Sequence, residues 1–181
     1  SYNVIDSNGG IAAQTASIRI DGRNDGPTVS AAVSTLTDED QASFDLDLLA
    51  NASDVDVTDV LSVTGLTLTN GVDVSGITDN GNTLTINPSA YNYLAVGEFV
   101  LLEYSYNVID SNGGIAAQTA SIRIDGRNDG PTVSGSVSTV TDEDAMSFDL
   151  DLRTNVSDVD LTDVLSVTNL MQTNIADASG I

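Results

Sequence analysis

The 181-residue chain has no cysteine, histidine, lysine or tryptophan. Without cysteine there are neither disulfides nor thiolate metal sites. That absence leaves an extracellular location open, because a domain of about 100 residues can bury a sufficient core without disulfides. Without histidine the chain lacks the side chain that ordinarily changes charge between roughly pH 5 and 8. With no His or Cys, and no serine in a nucleophile motif, the usual catalytic groups are missing. Paired carboxylates could in principle run glycoside hydrolysis, but the same carboxylates recur in each copy of a repeat, which marks a building part. The reading is therefore a non-enzyme. Basic residues are scarce as well: five arginines stand against 27 acidic residues, for a net charge of −22. Phosphate binding needs a basic footprint, so nucleic acid is excluded as a partner, and an anionic membrane surface is disfavoured. No run of about 20 apolar residues is present to span a membrane. The first residues fall inside a repeat, so a missing signal peptide carries no information.

What the chain does have is a duplication. Residues 1–30, SYNVIDSNGGIAAQTASIRIDGRNDGPTVS, recur unchanged at 105–134. The offset of 104 residues holds to the last residue, with 62 of 77 overlapping positions identical. A solenoid repeat runs roughly 20–50 residues, whereas this period is the size of an independent domain. The Asn-Asp-Gly-Pro segments at 24–27 and 128–131 combine a fixed and a free φ and mark the boundaries. The expected organisation is the C-terminal part of one repeat (1–26), one complete repeat (27–130) and the N-terminal half of the next (131–181). Neighbouring repeats in the same chain are then the first expected partners.

Short runs rich in Val, Ile, Thr, Leu and Tyr are separated by Asp, Asn and Gly, the pattern of antiparallel strands. Strands are expected near 29–36, 42–48, 60–68, 83–87, 99–109 and 115–124, with a short one near 72–77. In FDLDL, Phe44, Leu46 and Leu48 share one face while Asp45 and Asp47 take the solvated one. Leu102, Tyr104, Tyr106 and Val108 share a face in the same way. No segment has a helical period, and the likeliest helical turn lies in 91–99. About seven strands in such a repeat predict an all-β fold of tandem immunoglobulin-like or cadherin-like Greek-key sandwiches.

The segment EYSYNVIDSNGGIAAQTASIRIDGRNDGP, together with TDED, DLLANASDVDVTDVLSV and YLAVGE, resembles the VCBS and cadherin-like repeats of bacterial RTX adhesins. Those repeats also end in a Tyr-rich strand, an Asp-x-x-Gly-Gly turn, an alternating strand and an Asn-Asp-x-Pro linker. The resemblance covers essentially the whole chain. It implies immunoglobulin-like extender domains of giant, calcium-binding cell-adhesion proteins, exported by type I secretion to the bacterial cell surface and serving attachment and biofilm growth. The linker departs from the eukaryotic cadherin form, since Gly-Arg separates Asp125 from Asn128.

Calcium takes six to eight hard oxygen ligands, and acidic residues cluster in four places per repeat. These are Asp38, Glu39 and Asp40; Asp54, Asp56 and Asp59; Asp110 and Asn112; and the linker residues Asp125, Asn128 and Asp129. The other copies supply Asp21, Asn24 and Asp25, then Asp142, Glu143 and Asp144, then Asp158, Asp160 and Asp163. Loops of such a sandwich collect at its two ends. Residues 38–40 should sit at the end of the outgoing linker, and the 54–59 and 110–114 loops at the end where the preceding linker enters. Each junction would then bring two acidic groups together, with Ca2+ as the implied cofactor. Asp, Asn and Gly also serve turn geometry alone, an alternative account of 110–114 above all, and also of 54–59, of 38–40 and of the linker. The Asn-x-Ser triplets at Asn51 and Asn155 carry no reading beyond chance.

Two functions follow. One is a calcium-stiffened extender that spaces a distal binding domain from the cell. The alternative is an adhesive module that binds glycans or itself. Sugar sites usually add exposed aromatics, and aromatic residues of every kind make up only 4% of the chain. In the extender reading, any glycan or cell-surface contact is made through other domains.

Overall fold

A computed structural model describes residues 1–173. Thirteen strands follow in chain order: β1 (Tyr2–Ile5), β2 (Ile11–Gln14), β3 (Thr28–Val29), β4 (Val33–Asp38), β5 (Phe44–Asp47), β6 (Ala52–Ser53), β7 (Ser62–Asn70), β8 (Ile77–Asp79), β9 (Thr83–Ile86), β10 (Phe99–Ile109), β11 (Ile115–Asp125), β12 (Thr132–Val133) and β13 (Val156–Ser157). The architecture is all-β, as the alternation predicts. One sheet has the order β4-β11-β10-β7 and a second has β5-β9-β8, with β3 paired to β6 beside them. The antiparallel β10–β11 hairpin runs in unbroken register from Phe99↔Asp125 to Ile109↔Ile115. The outer strand β4 joins β11 in parallel, from Ala120↔Val33 to Asp125↔Asp38. That pairing carries Asp38 to the same end of the sheet as the start of the outgoing linker.

The core lies between the two sheets. Leu102, Tyr104, Tyr106 and Val108 are buried on one face of β10, and Ala120, Ile122 and Ile124 on one face of β11. They pack with Leu48, Leu84 and Ile86 from the facing sheet and its flank. Phe44 and Leu46 are half-buried against the same cluster, while Asp45 and Asp47 face solvent. The two sheets are also tied by hydrogen bonding, because the buried Tyr106 hydroxyl donates to the Leu48 carbonyl at 2.8 Å. A buried phenol without such an acceptor would cost about 1–3 kcal/mol.

Three local expectations are corrected. The strand expected at 29–36 is two strands, β3 and β4, which lie in different sheets. The chain changes sheets at residues 30–32, where Asn51 stands in the left-handed region (φ 67°) and acts as a bracket. Its carbonyl accepts the Ser30 N–H at 2.9 Å and its Nδ2 donates to the Ala32 carbonyl at 3.2 Å. The short strand expected at 72–77 is displaced to Ile77–Asp79. Residues before it form a loop that the Tyr91 and Tyr93 hydroxyls fasten to Asp73, at 3.1 Å to its carbonyl and 2.6 Å to its carboxylate. The helical turn starts earlier than 91–99, as a 3-10 helix over Pro88–Tyr91. Proline at the first position, with φ already fixed, explains the start. No helix among the described residues is long and apolar enough to cross a membrane.

Candidate metal centre at two linkers

The loop at 110–114 is shaped by one carboxylate. Asp110 Oδ1 accepts the N–H groups of Asn112 (2.8 Å) and Gly114 (2.7 Å), and its Oδ2 accepts Asn24 Nδ2 at 3.1 Å from the incoming linker. A side chain at Gly114 would collide with Asp110 and with Gly26 and Pro27 of that linker, so glycine is required there. Beside it, Asp59 Oδ1 accepts Asn112 Nδ2 at 2.7 Å and the Ser111 hydroxyl at 3.2 Å. Asp54 Oδ1 accepts the Asp56 N–H at 2.9 Å, and Asp56 Oδ2 accepts the N–H of Asp25 at 2.8 Å. Asp54, Asp59 and Asp110 each place one carboxylate oxygen within 4.8 Å of the others. Burial pushes the Asp110 carboxyl up, but the Asn24 amide and the N–H groups of Gly114, Asn112 and Gly113 outweigh it and hold it below the usual range. The loop therefore serves turn geometry and linker docking at once.

At the other end, Glu39 is 1% exposed. Its N–H donates to the Asp125 carbonyl at 3.2 Å, and its Oε1 accepts the N–H of Arg127. Arg127 also grips Asp38 Oδ2 through Nη2 at 2.7 Å and Nε at 3.1 Å. That pair draws the Asp38 carboxyl below its usual range. Gly126 lies where a side chain would meet the Leu94 and Ala95 carbonyls, and its N–H donates to the Glu98 carbonyl at 2.9 Å. The Gly-Arg step in the linker is thus a close approach followed by an ion pair. Further along, the Asp129 N–H donates to Asp160 Oδ2 at 2.9 Å, repeating the bond from Asp25 to Asp56. Asp160 is 2% exposed and pairs with no arginine among the described residues, while its N–H donates to Asp158 Oδ1 at 3.1 Å. A direct contact links the two sides, as the Leu161 N–H donates to the Tyr93 carbonyl at 3.2 Å.

Residues 23–125, more than half of the chain, match the family model of the cadherin-like domain. The chain belongs to the cadherin-like domain family. A search of curated proteins gave no match. The cadherin-like fold is an adhesion-type structural module, and domains of this kind commonly bind calcium.

The fit of such an ion to this cadherin-like chain can be tested on its buried oxygens. Seven buried side-chain atoms among the described residues have no hydrogen-bond partner: Asp38 Oδ1, Glu39 Oε2, Asp54 Oδ2, Asp59 Oδ2, Asn92 Oδ1, Asp129 Oδ2 and Asp160 Oδ1. All are hard oxygens, and six belong to the loops and linker that meet at the two junctions. Leaving such a group unpaired costs about 1–3 kcal/mol, and more when it is charged. Burial raises the Glu39 carboxyl, with Asp40 and Asp38 adding repulsion. Burial also raises Asp129, with the charges of Asp160, Asp40 and Asp158 adding to it. A donor set that is anionic, buried and unpartnered suits a hard divalent cation.

Not every acidic residue named from the sequence joins these groups. Asp21 and Asp125 are each held by a neighbouring arginine, Arg19 and Arg123, at 2.6 Å. Asn128 Nδ2 turns back to the Asp129 carbonyl at 2.8 Å. Asp142, Glu143 and Asp144 are exposed in a turn of their own, with the Asp144 N–H on Asp142 Oδ1 at 3.2 Å. Asp163 is exposed, and its N–H bonds to the Asp160 carbonyl at 3.2 Å. Asp40 is exposed and acts on Glu39 and Asp129 through its charge. No acidic pattern in the sequence points to Arg127, Asn92, Tyr93 or Leu161. The Gly-Arg interruption of the linker was the one available signal for Arg127.

Proposed function

We propose that this chain is part of a calcium-stiffened extender, a stalk of cadherin-like repeats in a large bacterial surface adhesin that spaces a distal binding domain from the cell. Residues 27–130 are one complete repeat, 1–26 end the preceding one and 131–181 begin the next. The observation that carries the reading is the set of buried, unpartnered carboxylate oxygens gathered where linkers meet loops. At the incoming junction, Asp54, Asp59 and Asp110 would hold the ion. At the outgoing junction no three carboxylates of the described residues converge as closely; there Asp129 and Asp160, joined by the Asp129 N–H, would hold it, with the unpartnered oxygen of Glu39 as a further donor. The ion would supply positive charge to clusters that otherwise repel, and so fix each linker against the neighbouring repeat. The resemblance to RTX-adhesin repeats supports export by type I secretion, since a chain that is loose at cytosolic calcium suits passage through a narrow channel.

The magnitudes agree with a switch. Extracellular calcium modules bind with Kd of roughly 0.1–1 mM. At tenfold saturation each site adds about 1.4 kcal/mol to the folded state. A few sites together approach the stability of a typical domain, about 5–15 kcal/mol. The test is thermal melting and small-angle scattering of a multi-repeat chain in EDTA and in millimolar calcium. The expected result is a higher Tm and a longer, straighter particle with calcium. Identical melting and scattering in both conditions would sink the proposal.

A further inference from the structure

We infer that the cation site at the outgoing junction takes the side-chain oxygen of Asn92 as a further ligand, contributed by the turn that follows the 3-10 helix. The inference rests on the calcium reading above and extends it to a residue outside the acidic clusters.

Asn92 Oδ1 is the one amide oxygen among the buried, unpartnered atoms; the other six are carboxylate oxygens. Its backbone is fixed on both sides. As the residue closing the 3-10 helix it holds φ −57° and ψ −2°, with its N–H on the Ser89 carbonyl. The next carbonyl, that of Tyr93, accepts the N–H of Leu161 at 3.2 Å. Leu161 directly follows Asp160, whose Oδ1 is also buried and unpartnered. That single backbone bond sets the Asn92 turn beside the acidic loop of the following segment. Tyr93 is itself anchored through its hydroxyl to Asp73 at 2.6 Å, so the turn is held from behind.

Charge balance explains an amide at this position. Asp129 already feels the negative charges of Asp160, Asp40 and Asp158. A further carboxylate would add repulsion, whereas calcium needs six to eight oxygens and accepts neutral ones. An amide oxygen adds a ligand without adding charge. It also comes from the part of the repeat, residues 78–104, that occurs once in this chain, which is why duplication did not single it out.

The experiment is calorimetric titration of CaCl2 into the full 181-residue chain and two variants, Asn92→Ala and Asn92→Asp, with Asp160→Asn alongside. Circular dichroism confirms that each is folded. The incoming cluster of Asp54, Asp59 and Asp110 serves as an internal control. Asn92→Ala should weaken one class of sites by roughly tenfold or more and leave the other class unchanged. Asp160→Asn should weaken the same class, and the double variant should weaken it by less than the product of the two. Asn92→Asp should keep the number of sites, since a carboxylate oxygen can replace the amide oxygen. If the parent chain binds calcium and Asn92→Ala gives the same isotherm, the inference about Asn92 is overturned while the calcium reading stands. No binding by the parent chain would overturn the calcium reading itself.

Discussion

Residues 1–30 and 105–134 have one sequence and two structures. What is local is the same in both. Asp6 Oδ1 accepts the N–H groups of Asn8 (2.9 Å) and Gly10 (2.7 Å), as Asp110 does with Asn112 and Gly114. Arg19 pairs with Asp21 at 2.6 Å, as Arg123 pairs with Asp125. What is not local differs. The strand that begins at Ile115 runs to Asp125, whereas its twin begins at Ile11 and stops at Gln14. Ile122 and Ile124 are fully buried, whereas Ile18 and Ile20 are 87% and 90% exposed. The long strand lies between β10 and β4, while among the described residues β2 pairs with β1 alone. Turn chemistry is thus autonomous in this chain. The second half of the strand exists because β4 and the facing sheet give it somewhere to go.

The largest expected effect tests that contrast directly. Ile122→Ala should destabilise the folded domain by about 2–5 kcal/mol, the usual cost of an aliphatic core truncation. In the 181-residue chain, where the described residues give Ile18 no facing sheet, Ile18→Ala should stay within about 0.5 kcal/mol. Urea unfolding in millimolar calcium measures both, and equal effects would break the comparison. A second pair concerns the linker. A methyl group at Gly126 meets the Leu94 and Ala95 carbonyls, while one at Gly22 meets nothing within 4 Å. Gly126→Ala should cost about 1–3 kcal/mol, in the range of overpacking, and Gly22→Ala close to nothing. Thermal melting of the two variants separates them.

The same contrast shows what could be read from residues and what could not. Alternation with period two assigns each side chain to a face, so the buried stripe from Leu102 to Val108 and the wet Asp45 and Asp47 were legible. It does not name the neighbouring strand. The parallel pairing of β4 and the sheet change at residues 30–32 therefore needed the structure, as did the role of the left-handed Asn51, which the sequence shows only as part of an Asn-x-Ser triplet. Loop order was enough to gather Asp54 and Asp59 with Asp110 and the incoming linker, and Glu39 with the outgoing one. Arg127 reaches across 89 positions to Asp38, and the Leu161 N–H finds a carbonyl that carries no side-chain signature. Contacts of that kind leave no mark in a one-dimensional pattern.

A third prediction sharpens the comparison at matched acidic turns. Glu39 is buried among like charges, and its counterpart Glu143 is exposed. Glu39→Gln keeps the acceptor for the Arg127 N–H while removing one charge. In EDTA it should leave Tm unchanged or raise it by a few degrees, about the shift expected from 1 kcal/mol or less. In calcium it should lower Tm and weaken binding, because a ligand charge is gone. Glu143→Gln should do neither. A Glu39→Gln variant that is destabilised equally in both conditions would mean the carboxylate serves packing alone.

The smallest effect is a difference in the response to acid between the two junctions in EDTA. Asp110 at the incoming junction has its carboxyl held low, so its contribution is present above the ordinary value of 3.8 and is lost as pH falls through the folded value. Glu39 and Asp129 at the outgoing junction are raised from 4.5 and 3.8. For them the sign reverses: the folded state takes up protons first, so stability rises as pH falls from above the folded values toward the unfolded ones. Acidification from neutrality should therefore tighten the outgoing junction before it loosens the incoming one. Asp38, held low by Arg127, joins the loosening only below 3.8. Amide exchange and NMR shifts of Asp129 on one side and of Asn112 and Gly114 on the other report the two junctions separately. With calcium present the outgoing trend should invert, because protons and the cation then compete for the same oxygens. Parallel responses at the two junctions in EDTA would show that the carboxylates of Glu39 and Asp129 are not strained by their burial, and would remove the repulsion that the cation is needed to relieve.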